Sequence, residues 1–424
     1  MTRIGNKKLR AVWTAFFIAV IIAAAPFVSA TVYAEAVTAE RNTLIVTCCG
    51  KRFVYTDEIT PPPNHLVAGE FFEHRVNHSP EDKAAYTAAL TRAGYGKKKA
   101  LLTAYPGLEA FFAQIAAYAY REPMNGELKF YPGKNPRFEI SSARSGVKAD
   151  EKSFYAQVYA LWQNSVSGEL VMPLVRIPPA VTEKDCERLT CLRGEFSTDY
   201  SRSGSGRKHN IELAMRALDG VRIKNGEKFS FNAAVGPRTA QRGYEQAKII
   251  VGGKYVDGVG GGVCQVSTTL YNAALYAGMY IEEAHGHSLA PSYVEPSFDA
   301  AVNSGSMDLK FTNSTGGDVF ISAYCAENRA VVRFYGLENG YEIRRRSVVT
   351  ARGAVPEDEI IEDAEGKYFP PDSESGELVR IKGGIAGLDS EGYLDFYRNG
   401  KKVFSRRIRR DKYAPVRGIL AKKP

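Results

Sequence analysis

Gly258-Val259-Gly260-Gly261-Gly262 runs straight into Val263-Cys264-Gln265-Val266-Ser267-Thr268-Thr269-Leu270-Tyr271-Asn272-Ala273-Ala274-Leu275. The glycines permit positive φ and a close approach by another stretch of backbone, whereas the residues after them have a helical period, with Val266, Leu270, Ala273 and Ala277 on one stripe. The pattern predicts a loop that becomes a helix at Cys264. The first N–H groups of a helix lack intrahelical acceptors, and the macrodipole adds partial positive charge there. A thiolate in that place is stabilised and its pKa falls.

His285-Gly286-His287-Ser288 follows as a source of a general base, and Asp299 as a residue that could orient it. Cysteine, histidine and an acid are the inventory for acyl transfer through a thioester. Spacing leaves open whether they meet. Ser267, Thr268 and Tyr271 follow Cys264 closely, the last two on its face, as substrate contacts or as the polar edge of the helix. The glycines lack the G-x-x-x-x-G-K-[ST] form of a phosphate cradle.

Around this block stand Phe229-Ser230-Phe231-Asn232, Val235-Gly236, Gly243-Tyr244, His287-Ser288, Asp299-Ala300 and Phe311-Thr312-Asn313. Together they resemble the VanW-like domain from about Gly194 to Gly336. The resemblance implies an extracytoplasmic wall protein and, as for some family members, an L,D-transpeptidase with Cys264 as nucleophile. It selects His287 over His285 as the base, with Asp299 behind it. It makes Gly261, Gly262, Val263, Gln265, Ser267, Thr268, Tyr271 and Ser288 the surroundings of substrate or oxyanion. Ala284 stands where the family usually has an arginine, so no substrate-carboxylate contact carries over to that position.

On this reading Cys264 attacks the third residue of a donor stem peptide and an acceptor amine resolves the thioester into a 3-3 cross-link. The partners are peptidoglycan stem peptides and glycan, and the chemistry requires neither metal nor cofactor. The alternative is a non-catalytic peptidoglycan-binding accessory protein of envelope assembly or glycopeptide resistance, with Cys264 structural.

Arg3, Lys7, Lys8 and Arg10 precede an apolar run from Ala11 to Val28, which reads as an export signal. Val28-Ser29-Ala30 and Val32-Tyr33-Ala34 offer cleavage sites, yet the run is nearly long enough to span a bilayer, so residues 1–34 are a signal peptide or a membrane anchor. Both place the rest of the chain outside the cytoplasmic membrane, as a cell-wall or outer-face protein.

Six cysteines are too few for a disulfide scaffold in 424 residues. Cys186 and Cys191 are near enough in sequence to pair, Cys48 and Cys49 too near, and no zinc spacing appears. The net charge of +9 owes much to Arg406-Arg407-Ile408-Arg409-Arg410 and Lys422-Lys423. This basic surface reads as a solvated strand edge or an attractor of anionic wall polymers. Without a recognition motif, nucleic acid is excluded as a partner.

The fold class expected is multidomain α+β. Residues 35–192 alternate strands and helices. Ser79-Pro80-Glu81-Asp82 caps a helix to about Ala93, a second carries Leu108, Phe112 and Ile115, and a third starts near Asp150. Leu128-Lys129-Phe130-Tyr131 and Leu170 to Val175 read as strands, and Thr182-Glu183-Lys184-Asp185 caps a short helix. Position and pattern resemble a peptidoglycan-binding domain, the alternative being a spacer.

Residues 193–340 form the VanW-like α+β domain. In it Asn210 caps a helix to Leu218, Asn225-Gly226 turns between two strands, and Ala247 to Val256 forms a hairpin. The cysteine helix packs on an antiparallel meander of Leu309 to Phe311, Val319 to Ala323 and Val331 to Tyr335. Residues 341–424 are strand and turn, with an Asn399-Gly400 hairpin. They resemble the small β module called G5, from which they depart in spacing and in lacking most of its repeated glycines.

Overall fold

The computed structural model describes residues 43–56, 80–164, 167–251, 254–370 and 373–424. The N-terminal basic and apolar stretch, the Pro61-Pro62-Pro63 interruption, Ser79 and Gly252-Gly253 lie outside them. The protein is a multidomain α+β chain whose packing divides it into two units. One holds the described residues up to Ala119 together with Ala149–Val175, and the other Tyr120–Lys148 with Arg176–Pro424.

In the first unit the hairpin Thr43–Cys48 and Lys51–Thr56 pairs in parallel with Ser167–Val171. Helices Pro80–Arg92, Lys97–Ala104, Gly107–Ala119 and Glu151–Asn164 complete it. Strand residues Leu44, Val46 and Phe53 meet helix residues Leu101, Leu108, Ile115, Phe154 and Trp162 in one core. The Lys97–Ala104 helix has no counterpart in the sequence reading, because Lys97-Lys98-Lys99 hides its short apolar face. The expected Leu170 to Val175 strand is broken into Ser167–Val171 and Leu174–Ile177, since Pro173 has no N–H to give a ladder.

The second unit is built on the helix Val263–Tyr276, whose Val266, Leu270 and Ala273 are fully buried. It lies on a four-stranded antiparallel sheet ordered Cys191–Asp199, Arg329–Gly336, Val319–Ala326, Arg222–Ile223. Helix and sheet approach so closely that a Cβ at Gly194 would lie 2.5 Å from the Ala277 nitrogen. Truncating Leu270 would leave a cavity costing about 2–5 kcal/mol. Phe130 and Phe138 of a short hairpin pack on Phe320 and Tyr335 of this sheet, which binds residues 120–148 to this unit.

Three expectations change here. The Lys310–Thr312 strand is not part of the meander but joins Lys228–Ser230 and Tyr280–Glu283 in a separate sheet. Gly226, with φ +79, does sit in a turn, yet the strands flanking it enter different sheets. Asn210 is no cap, because the helix starts at Ser205 and buries it. Its amide donates to the Glu245 and Gly261 carbonyls at 2.9 and 3.0 Å and accepts from the Glu245 N–H at 2.8 Å. Long-range partners that would otherwise be unsatisfied outweigh a local cap.

After residue 340, Glu342–Arg352, Leu388–Arg398 and Lys401–Tyr413 form one antiparallel sheet, and Glu359–Glu362, Ile419–Lys422 and Leu378–Lys382 another. Ile343 and Leu394 of the first enter the same core as the cysteine helix. Thr182 and Asp185 make the expected reciprocal cap. Cys186 is buried and Cys191 exposed, and the pairing of these two that spacing allows is not made. Among the described residues no helix is long and apolar enough to cross a membrane, and no group of acidic, histidine or cysteine side chains could hold a metal.

Candidate active site

Cys264 occupies the second position of its helix, and the glycines ahead of it are there for space and conformation. Gly262 has φ +108, and a Cβ on Gly261 would lie 2.7 Å from the Lys248 carbonyl oxygen. The hairpin strand Gln246–Val251 therefore presses on the turn that delivers the cysteine. The thiol is half-buried and lies 3.3 Å from the Val302 carbonyl oxygen, to which it donates when protonated.

The structure brings Cys264, His287 and Asp299 together. His287 gives its backbone N–H and its Nδ1 to Asp299 Oδ2, at 2.6 and 2.7 Å. With Nδ1 committed, Nε2 is the nitrogen that meets the Cys264 sulfur in their side-chain hydrogen bond. Burial alone would push the thiol up, but the hydrogen bond and charge of His287, with Arg238 nearby, bring it below its ordinary value. Burial likewise opposes the imidazolium, yet Asp299 and Cys264 raise His287 to about 9. Asp299 is wholly buried. Burial works against its charge too, and His287, Arg409 and Tyr413 bring it down to about 2. These shifts act together to favour a thiolate beside an imidazolium backed by a carboxylate. His285 turns away, its Nε2 2.9 Å from Glu283 Oε1.

The other residues named from sequence divide. Gln265, Ser267 and Thr268 are buried and face inward. Gln265 donates to Thr198 Oγ1 and the Asp199 carbonyl at 3.1 and 2.8 Å, Ser267 donates to the Ala300 carbonyl at 2.5 Å, and Thr268 Oγ1 accepts from the Ala300 N–H at 2.9 Å. They brace helix against sheet and against the segment carrying Asp299. Tyr271 is buried too, its phenol pushed up to about 12 by desolvation. Ser288 is exposed, and its carbonyl accepts from Ala414 N–H at 2.8 Å.

The N–H groups of Val263 and Gln265 go to the Gly260 and Gly262 carbonyls at 3.3 and 2.9 Å. The Gly261 carbonyl is taken by Asn210. Among the described residues, the amides of Gly262 and Cys264 have no such acceptor.

Four contributors went unread in the sequence. Arg238 is half-buried near the sulfur and held by Asn232 Oδ1 at 2.5 Å. Tyr293 hydrogen-bonds Thr268 and is raised by burial and by Cys264. Arg409 places Nη2 2.8 Å from Asp299 Oδ1 and Nη1 2.6 Å from its carbonyl, and the Tyr413 hydroxyl donates to Oδ1 at 2.6 Å. The signal for the last two was the strand period. Arg409, Asp411 and Tyr413 alternate with Arg410 and Lys412, whose side chains are 69% and 82% exposed. The basic run is thus a solvated edge on one face alone.

Residues 206–335, which include Cys264, His287 and Asp299, match the family described as VanW like protein. The uncharacterized protein YoaR of Bacillus subtilis is 32% identical over 255 residues, 60% of this chain and 82% of that protein. The vancomycin B-type resistance protein VanW of Enterococcus faecalis is 30% identical over 145 residues, 33% of this chain and 51% of that protein. Among solved structures, an IgA1 protease G5 domain matches 20% of this chain and 94% of its own, at 23% identity and a TM-score of 0.12. The family match spans the segment holding Cys264, His287 and Asp299, and the chain belongs to the VanW-like family.

Proposed function

We propose that this protein remodels peptidoglycan outside the cytoplasmic membrane, as a cysteine L,D-transpeptidase. The observation that carries the reading is the line of contacts from Cys264 through His287 to Asp299. It supplies a nucleophile, a base and an orienting acid in working order. A relative named for vancomycin resistance supports the wall as the setting, and the basic-then-apolar N-terminus supports export.

The thiolate bonds to the carbonyl carbon of the third residue of a donor stem, and the amides of Gly262 and Cys264 receive the developing oxyanion. His287, already holding the thiol's proton, passes it to the nitrogen of the departing D-alanine as that C–N bond breaks. An acceptor amine then attacks the thioester and gives a proton to His287, the C–S bond breaks, and the thiolate is restored beside the imidazolium.

The test is incubation of the protein with purified disaccharide tetrapeptide, read by mass spectrometry. Cross-linked dimer with loss of one D-alanine per bond, absent in Cys264→Ala, is the expected result. Protein that binds muropeptide yet forms neither dimer nor covalent adduct sinks the enzymatic reading in favour of a binding accessory.

A further inference from the structure

The acid of the site is gripped from beyond the family segment. We propose that Arg409 and Tyr413, on the Lys401–Tyr413 strand, are positioning residues for Asp299, so that the C-terminal β module completes the reactive centre rather than forming a detachable ligand-binding appendage. This rests on reading Cys264, His287 and Asp299 as a reactive set.

The two carboxylate oxygens of Asp299 are served from opposite sides. Oδ2 takes both hydrogen bonds of His287, and Oδ1 takes Arg409 Nη2 and the Tyr413 hydroxyl. With both oxygens filled, the carboxylate plane cannot turn, and the imidazole it orients cannot turn either. Arg409 is itself held, its Nε 2.7 Å from Asp411 Oδ2 and its side chain 12% exposed.

The same strand shapes the backbone on either side of the acid. Tyr413's oxygen accepts from the Ser297 N–H at 2.8 Å, and Ser297 has φ +67, a left-handed conformation that a non-glycine residue keeps only when its surroundings impose it. Ser297 Oγ and Ser390 Oγ lie 2.7 Å apart, joining the segment to the neighbouring strand. A Cβ at Gly286 would fall 2.6 Å from Asp411 Oδ1, and one at Gly392 2.9 Å from the Ser297 carbonyl oxygen. At these two glycines the segment with base and acid and the module's first sheet leave no room for a further side chain.

The experiment measures Cys264 alkylation by iodoacetamide against pH in the whole chain, by peptide mass spectrometry, with exposed Cys191 as internal reference. It needs no substrate. Wild type should show a Cys264 midpoint below the ordinary thiol value. Arg409→Met and Tyr413→Phe should raise that midpoint and slow alkylation at pH 7, about tenfold for Arg409→Met. Arg409→Lys, which keeps the charge but not the fork, should recover part of the loss. Arg406→Ala, on the exposed face, should behave as wild type.

Tyr413→Phe removes a single oxygen, so it reports even if Arg409→Met unfolds. A wild-type midpoint in folded Tyr413→Phe and Arg409→Met overturns the proposal while leaving the transpeptidase reading standing. Full recovery in Arg409→Lys would reduce Arg409 to a source of charge and overturn its positioning role. An ordinary thiol midpoint in the wild type would remove the reactive set, and this proposal with it. Normal midpoint shifts without dimer formation would sink the transpeptidase reading alone.

Discussion

His287 spends one ring nitrogen on Asp299 and so can present only the other to Cys264. That asymmetry sets the expected pH behaviour. The thiol ionises below its ordinary value, which fixes the rising limb of turnover, and His287 loses its proton near pH 9, which fixes the falling limb because the leaving amine then has no acid. A bell-shaped kcat/KM profile for donor consumption checks this. His287→Ala should lower turnover by about 10²–10⁴-fold.

Asp299 adds a stability consequence. Its folded value is depressed, so the stability it supplies is complete above the ordinary carboxylate range and is lost as pH falls toward 2. Asp299→Asn should lose less stability than wild type over that acid range, in urea unfolding at each pH. At neutral pH it should be the less stable of the two, because Arg409 keeps its charge with one partner fewer. Cys264, His287 and Asp299 were legible in the sequence through the family resemblance, since spacing left open whether they meet. Arg238 and Tyr293 were not, because nothing local marks a side chain whose only signature is what stands opposite it.

The helix that carries the nucleophile was the most legible element. Glycines end one conformation, a helical stripe begins another, and the boundary expected at Cys264 lies one residue earlier, at Val263 after Gly262. Gly262→Ala should still be severe. A side chain at φ +108 is strained, and its Cβ would lie 3.0 Å from Arg207 Cγ and Ile211 Cγ1. The expected cost is about 1–3 kcal/mol, read by chemical denaturation. The Ser205–Leu218 helix was misread at its start because Asn210 looks locally like a cap. Asn210→Ala discriminates the two roles: a lost cap costs about 1 kcal/mol, whereas orphaning Glu245 and Gly261 should cost about 3 kcal/mol. Strands were recognised more readily than their partners, as Lys310–Thr312 illustrates, since alternation names a buried face without naming the neighbour.

Across the chain, the second unit behaves as one body. Ile343 and Leu394 bury into the core that also holds Val266 and Leu270, so the sheet after residue 340 should not open on its own. Hydrogen exchange should show the slowest amides of Leu388–Arg398 and of Val263–Tyr276 sharing one opening free energy. An earlier opening of the C-terminal strands would contradict this. Local pattern read the Leu128–Phe130 strand as part of residues 35–192, whereas aromatic pairing packs it on the second unit's sheet. Its strand character is in its own residues, whereas its destination is decided by Phe320 and Tyr335, far along the chain.

The oxygen of Tyr413 joins Ser297 and Asp299, which precede it by 116 and 114 residues. Contacts of such separation wait for the chain between them to be present and collapsed. During synthesis, which proceeds from the N-terminus, Cys264 and His287 both emerge long before the tyrosine that ties down the acid. The nascent polypeptide thus holds an unarmed thiol until the strand bearing Tyr413 has followed and docked.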